Sequence, residues 1–218
     1  MWYDALWGPF QARSWTHAQR AKCKEYTHDT ACRTRHREKD FLTEAEFEQF
    51  LNAAKQGRYG ARDFALCLFM QRHGLRVSEL CAFQRSSLSF ADAQVFVHRL
   101  KHGLATQQPL TGEELRAIKR YLSDRDKRGS SKLPWLFITD RGTNFTRQGI
   151  SYLVQTIGER AKLPFKVTPH MLRHSCGFHL ANRGCDSRLI QDYLGHRDPR
   201  HTAHYTGTAA IRFNSLWN

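Results

Sequence analysis

Apolar positions along the chain fall into two periods, and the change between them marks a small sheet inserted among helices. Thr43 with Glu46 forms a capping box ahead of a helix carrying Phe47, Phe50 and Leu51. A second helix is expected from about Ala61 to Arg72, ending before Gly74. Its run Phe64-Ala-Leu-Cys-Leu-Phe-Met70 is apolar nearly all round, as a central core helix requires. A short helix should follow with Ser78, Glu79, Leu80 and Cys81. The period then becomes that of strands: Gln94-Val-Phe-Val-His-Arg99 and Thr106-Gln-Gln-Pro-Leu110 read as a pair joined through Lys101-His-Gly103. Pro109 puts the second strand at an edge or at its own end.

Helical spacing returns at Thr111 and Glu114, which begin a helix bearing Leu115, Ile118 and Leu122. A basic loop is expected from Arg125 to Lys132, then a short buried segment from Trp135 to Ile138. Thr146 caps a helix reaching about Arg160, with Ile150, Leu153, Val154 and Ile157 on its inner side. Three or four short helices fill the chain from Pro169 onward. The expected fold is mainly α with a small antiparallel β-sheet. Residues 41–218 form its main domain, preceded by a basic, tryptophan-containing arm over residues 1–40. Trp2, Trp7 and Trp15 of that arm either pack back on the domain, or its cations and aromatics contact nucleic acid.

Charge narrows the class of partner. Lys and Arg number 34 against 20 Asp and Glu, a net +14, with 12 His besides. Such an excess favours a polyanion, of which nucleic acid is the commonest. The apolar run ending at Met70 is far too short to span a bilayer, and Met-Trp-Tyr-Asp-Ala-Leu-Trp does not have the form of a secretory signal. The expectation is a cytoplasmic protein whose six cysteines are free thiols. Cys23, His28, Cys32 and His36 contain suitable zinc donors, but their spacing matches no familiar finger.

Two segments carry the candidate chemistry. In Thr168-Pro-His-Met-Leu-Arg-His174, Thr168 caps a helix with Pro169 at its first position. His170 and Arg173, three residues apart, then share a face beside an N-terminus that favours anions. In Leu189-Ile-Gln-Asp-Tyr-Leu-Gly-His196, the helix stops at Gly195 and sets His196 at a corner, nine residues before Tyr205. A phenol is a poor nucleophile at neutral pH, and nearby Arg and His lower that barrier by stabilising the phenolate and the charge on a phosphate. Arg76 is available as a second guanidinium fork, Glu79 to orient it, and Lys101 at the hairpin tip to protonate a leaving oxygen.

In this order the segments His73-Gly-Leu-Arg-Val-Ser-Glu-Leu80, His98-Arg-Leu-Lys101, Pro169-His-Met-Leu-Arg-His-Ser-Cys-Gly177 and Leu189-Ile-Gln-Asp-Tyr-Leu-Gly-His-Arg197 resemble the motifs of the tyrosine recombinase, or phage integrase, family. The similarity is greatest to the small invertases that switch fimbrial promoters. The resemblance covers roughly residues 40–218 and implies the tyrosine recombinase catalytic-domain fold. It assigns catalytic roles to Arg76, Lys101, His170, Arg173, His196 and the nucleophile Tyr205, with Glu79 in support. Implied too is attack by Tyr205 to give a 3'-phosphotyrosyl bond and a free 5'-hydroxyl, with no cofactor, divalent ion or ATP. The expected partners are double-stranded DNA with inverted-repeat recombination sites, three further copies of the chain in a DNA-bound tetramer, and accessory DNA-bending proteins. No membrane partner is expected. Phe213, Leu216 and Trp217 are expected to dock on a neighbouring protomer. About 40 residues precede the capping box, too few for the helical core-binding domain most relatives carry. The setting implied is a bacterial nucleoid, a phage or a mobile element. The rival readings are a non-catalytic DNA-binding factor and a type IB topoisomerase.

Overall fold

The computed structural model describes residues 39–99, 105–127, 133–196 and 198–207. The N-terminal arm with its cysteine and histidine set, Lys101, and the segment from Thr208 to Trp217 lie outside the described residues. Helix α1 (Glu44–Lys55) starts at the expected capping box, with Thr43 and Glu46 bonded reciprocally. Helix α2 (Gly60–Arg72) follows, and Ala65, Leu66, Cys67, Leu68, Phe69 and Met70 are all buried along it. Each Leu or Phe so buried contributes about 1.5–3 kcal/mol. This burial explains why the run shows no polar face: α1, α4 (Gly112–Lys127) and α6 (Pro169–Asn182) all pack on α2.

Between these lie α3 (Val77–Ala82), a 3-10 turn at Arg85–Ser87, and an antiparallel sheet in the order β1-β2-β3. Strand β2 (Gln94–Val97) pairs with β1 (Leu88–Ser89) on one side and β3 (Thr106–Pro109) on the other. Pro109 is the last residue of an edge strand, where a missing amide costs least. The β2–β3 ladder closes with Val97 opposite Thr106, two residues earlier than the alternation suggests. Arg99 keeps the inward parity of Val95 and Val97 but leaves the sheet to be buried beneath α3 and α7 (Ser187–Leu194).

One boundary needs correction. The segment from Arg125 is not loop at its start, because α4 continues to Lys127 and Arg125 is buried. Its guanidinium donates to the carbonyls of Leu133, Trp135 and Leu136, tying the helix to the buried segment as expected around Phe137. Helix α5 (Arg147–Arg160) carries its Thr146 cap. The chain from Pro169 to Gly207 then forms three helices, α6, α7 and α8 (Arg200–Gly207). They enclose a second, smaller apolar cluster of Cys176, Phe178, Ala181, Ile190, Leu194 and Tyr205. Among the described residues no helix is long and apolar enough to cross a membrane.

Candidate active site

Two helix ends create the site. Helices terminate with carbonyl groups that lack intrahelical partners and carry partial negative charge. At the end of α2, Gly74 turns the chain with φ 54°, and at the end of α7, Gly195 does so with φ 64°. The carbonyls exposed there are met by three arginines. Arg173, from α6, donates to Gly74 O and, at 2.7 Å, to Leu194 O. Arg99 donates to His73 O at 2.9 Å, to Gly74 O at 3.3 Å and to Tyr193 O. Arg76, the N-cap of α3, reaches Gly195 O at 3.3 Å. A β-carbon on Gly195 would lie 2.7 Å from Cγ of Arg99, so the glycine serves close approach as well as the left-handed turn.

Glu79 lies among these cations. Its carboxylate accepts from Arg76 N at 2.9 Å, Arg76 Nη1 at 2.8 Å and Arg99 Nη1 at 3.1 Å, and Arg173 Nη1 is 4.0 Å away. Burial alone raises its pKa, but the Arg76 amide and the guanidinium charges outweigh that and hold it below the usual carboxylate value. Burial, followed by the charges of Arg76 and Arg99, lowers Arg173 to about 10, which leaves it charged at neutral pH. The Arg76 side chain keeps 30% of its surface exposed, whereas that of Arg173 keeps only 4%.

Histidines and the tyrosine complete the constellation. His170 is exposed on the first turn of α6, and its Nε2 lies 2.6 Å from Nε2 of His174. His196 follows the Gly195 corner, with Nδ1 2.9 Å from Oγ1 of the buried Thr202. Burial, then Arg173 and Arg76, pushes His196 down to about 3, so it is neutral at pH 7. Tyr205 is 2% exposed. Its ring stacks on His196 at 6.0 Å and meets His174 at 5.4 Å and Phe178 at 5.2 Å edge to face. Burial raises its pKa to about 12, while Arg173 and Arg76 act to lower it. The phenol is therefore protonated at rest, within electrostatic reach of both guanidinium groups.

Six of the seven expected residues thus converge: Arg76, Glu79, His170, Arg173, His196 and Tyr205. Lys101, the seventh, lies outside the described residues. Arg99, His174, Gly177 and Thr202 also contact this set, and no sequence motif gives them a role. Arg99 was detectable as a cation at an inward strand position, and His174 by its helical spacing from His170. Thr202 and Gly177 offer no comparable local signal.

A surplus of fixed cations lies within electrostatic reach of a buried phenol, an arrangement chemically suited to an anion. The model of the phage integrase family matches residues 40–211. Type 1 fimbriae regulatory protein FimB of Escherichia coli K12 is 42% identical over 182 residues, 84% of this chain and 91% of that protein. The crystal structure of XerA recombinase matches with a TM-score of 0.71 at 26% identity, covering 81% of this chain and 63% of that one. XerH site-specific recombinase, solved on palindromic difH substrate, has the same fold, with a TM-score of 0.70 at 23% identity over 84% of this chain and 54% of the other. The chain belongs to the phage integrase family.

Proposed function

We propose that this protein is a site-specific DNA recombinase in which Tyr205 attacks the scissile phosphate, forming a 3'-phosphotyrosyl bond and releasing a 5'-hydroxyl. A second strand's 5'-hydroxyl then attacks that bond, restoring the phosphodiester and the free phenol. The observation that carries this reading is the enclosure of Tyr205 by His196 and His174 within reach of the Arg173 and Arg76 charges. The two arginines would hold the non-bridging oxygens, His170 and His196 would supply hydrogen bonds, and Glu79 would orient Arg76. Lys101 is assigned protonation of the leaving oxygen.

The DNA rearrangement proposed is inversion between inverted repeats, or integration and excision of a mobile element, within a bacterial cytoplasm. The similarity to FimB over nearly the whole length of that protein supports the first. Two exchanges between two sites call for four protomers, with accessory DNA-bending proteins aligning the sites. In this assembly residues 1–40 act as an arm, residues 41–218 as the catalytic domain, and Phe213, Leu216 and Trp217 dock on the next protomer. Incubation with a nicked duplex that traps the covalent species tests the chemistry. Tyr205→Phe is expected to bind the same DNA and form no SDS-resistant adduct. An adduct from that variant would remove Tyr205 from the mechanism.

A further inference from the structure

His170 and His174 stand one turn apart on α6, with 2.6 Å between their Nε2 atoms. For two neutral imidazoles, a hydrogen bond at that distance needs one nitrogen with a proton and one without. The other ring nitrogen of His174 decides which. Nδ1 of His174 is buried and has no hydrogen-bond partner among the described residues. Were His174 the acceptor at Nε2, its neutral ring would carry the proton on Nδ1 and bury an N–H with nothing to receive it. A buried orphan donor is the rarer fault, and an unused lone pair the milder one. His174 therefore keeps its proton on Nε2 and donates it to His170.

The consequence falls on His170. With its Nε2 committed as acceptor, a neutral His170 must carry its proton on Nδ1, because one nitrogen's hydrogen bond sets the state of the other. We infer that His174 is a positioning residue that locks His170 in the Nδ1–H tautomer, making His170 a hydrogen-bond donor to the scissile phosphate. This rests on the reading of the site as a phosphodiester cleavage centre. The charge state agrees with it. Burial, then His170, His204 and Arg173, lowers His174 to about 4 against the opposing pull of Asp40. Burial and Arg173 lower His170 also, so both rings are neutral at pH 7. His174 is half-buried behind His170 and packs edge to face on Tyr205, so its influence on the phosphate passes through its neighbour.

The full-length protein with 15N-labelled imidazoles gives the first test. Long-range 1H–15N correlation is expected to show His170 protonated at Nδ1, the tautomer that free imidazole side chains disfavour. Finding His170 protonated at Nε2 overturns the inference without any variant. The second test is a double-variant cycle read as the single-turnover rate of adduct formation. His174→Phe keeps a ring against Tyr205 but removes the donor. It is expected to slow adduct formation about tenfold, less than the full loss of an aimed donor because part of the His170 population stays correct. His174→Gln, whose amide can donate to Nε2, should recover part of the rate. In a His170→Ala background, His174→Phe should change nothing further, since its route of action is gone. Losses that multiply instead would mean that His174 only packs against the nucleophile. A wild-type protein that forms no adduct would defeat the proposed function, and the tautomer measurement would still judge this inference.

Discussion

Replacing Gly177 by alanine tests whether the position of the tyrosine sets the rate of cleavage. A β-carbon on Gly177 would lie 2.7 Å from Cε2 of Tyr205 and 2.8 Å from both Cδ2 and Cζ. Carbon atoms in contact settle near about 3.5–4.0 Å, so the ring has to retreat by roughly 0.8 Å. His174, His196 and Phe178 already occupy its other sides, and it cannot move without disturbing α8. Overpacking of this kind costs about 1–3 kcal/mol, and the better helix propensity of alanine offsets up to about 1 kcal/mol. The net loss of stability therefore lies between about 0 and 3 kcal/mol. Chemistry suffers more, because a misplacement of about 1 Å costs on the order of a hundredfold in rate. The assay is single-turnover adduct formation on a nicked duplex, with DNA affinity from fluorescence anisotropy and folding from urea denaturation. Gly177→Ala is expected to bind normally, stay folded and cleave on the order of a hundredfold more slowly. A folded variant that cleaves at the wild-type rate refutes the argument that Gly177 aims Tyr205.

Arg99→Leu leaves Glu79 without one of its cations and takes one donor from each of the carbonyls of His73, Gly74 and Tyr193, of which Gly74 keeps Arg173 and Tyr193 keeps Gln108. Breaking one side of a buried pair costs about 3–5 kcal/mol, to be read from urea midpoints, and a loss below about 1 kcal/mol would discount the role given to Arg99. For Lys101→Ala, cleavage should slow far more than binding, and a 5'-bridging sulfur substrate, whose leaving group needs no proton, should recover most of the rate; no recovery would reject the acid role. Acid stability follows from His196 and His174, lowered from 6.5 to about 3 and about 4. The unfolded chain takes up these protons first, so their contribution is full above pH 6.5 and is lost as pH falls through that window toward the folded values. His196→Gln should flatten part of the decline in urea midpoint, and an unchanged slope would contradict the neutral, buried imidazole.

Where the chain announces a helix end by side-chain chemistry, the sequence located it closely. Thr43 with Glu46, Thr146, Thr168 before Pro169 and Gly195 all bond or turn as their residue types dictate. Strand β1 escaped because two residues, Leu88 and Ser89, hold no period to detect. The end of α4 lies beyond the expected start of the loop because Arg125 reads as solvated charge, whereas its long stem lets it stay buried and reach three carbonyls. Of the site, the residues carried by recognisable motifs were legible, and those that orient them were not. Arg99, Thr202 and Gly177 owe their roles to segments brought together only in the folded chain: the stretch just past β2, then α8 and α6.

The arginine cluster also explains why so charged a site is tolerated in a domain of this size. Three guanidinium groups and one carboxylate leave a surplus of two positive charges, which would repel strongly if the groups were free. They are held instead by carbonyl groups at the ends of α2 and α7, where partial negative charge is already fixed by the backbone. The same bonds use only part of the five N–H groups on each guanidinium and thus leave donors for an anion. A phosphodiester brings one negative charge, and in the proposed reaction more gathers on its oxygens as the phenol attacks. The surplus is therefore matched more fully by the reacting phosphate than by the resting one, which is the condition for lowering a barrier. Because the helix ends hold the arginines before DNA arrives, little reorganisation is left for the moment of reaction. Glu79 fits the same logic: by binding Arg76 and Arg99 it limits their mutual repulsion.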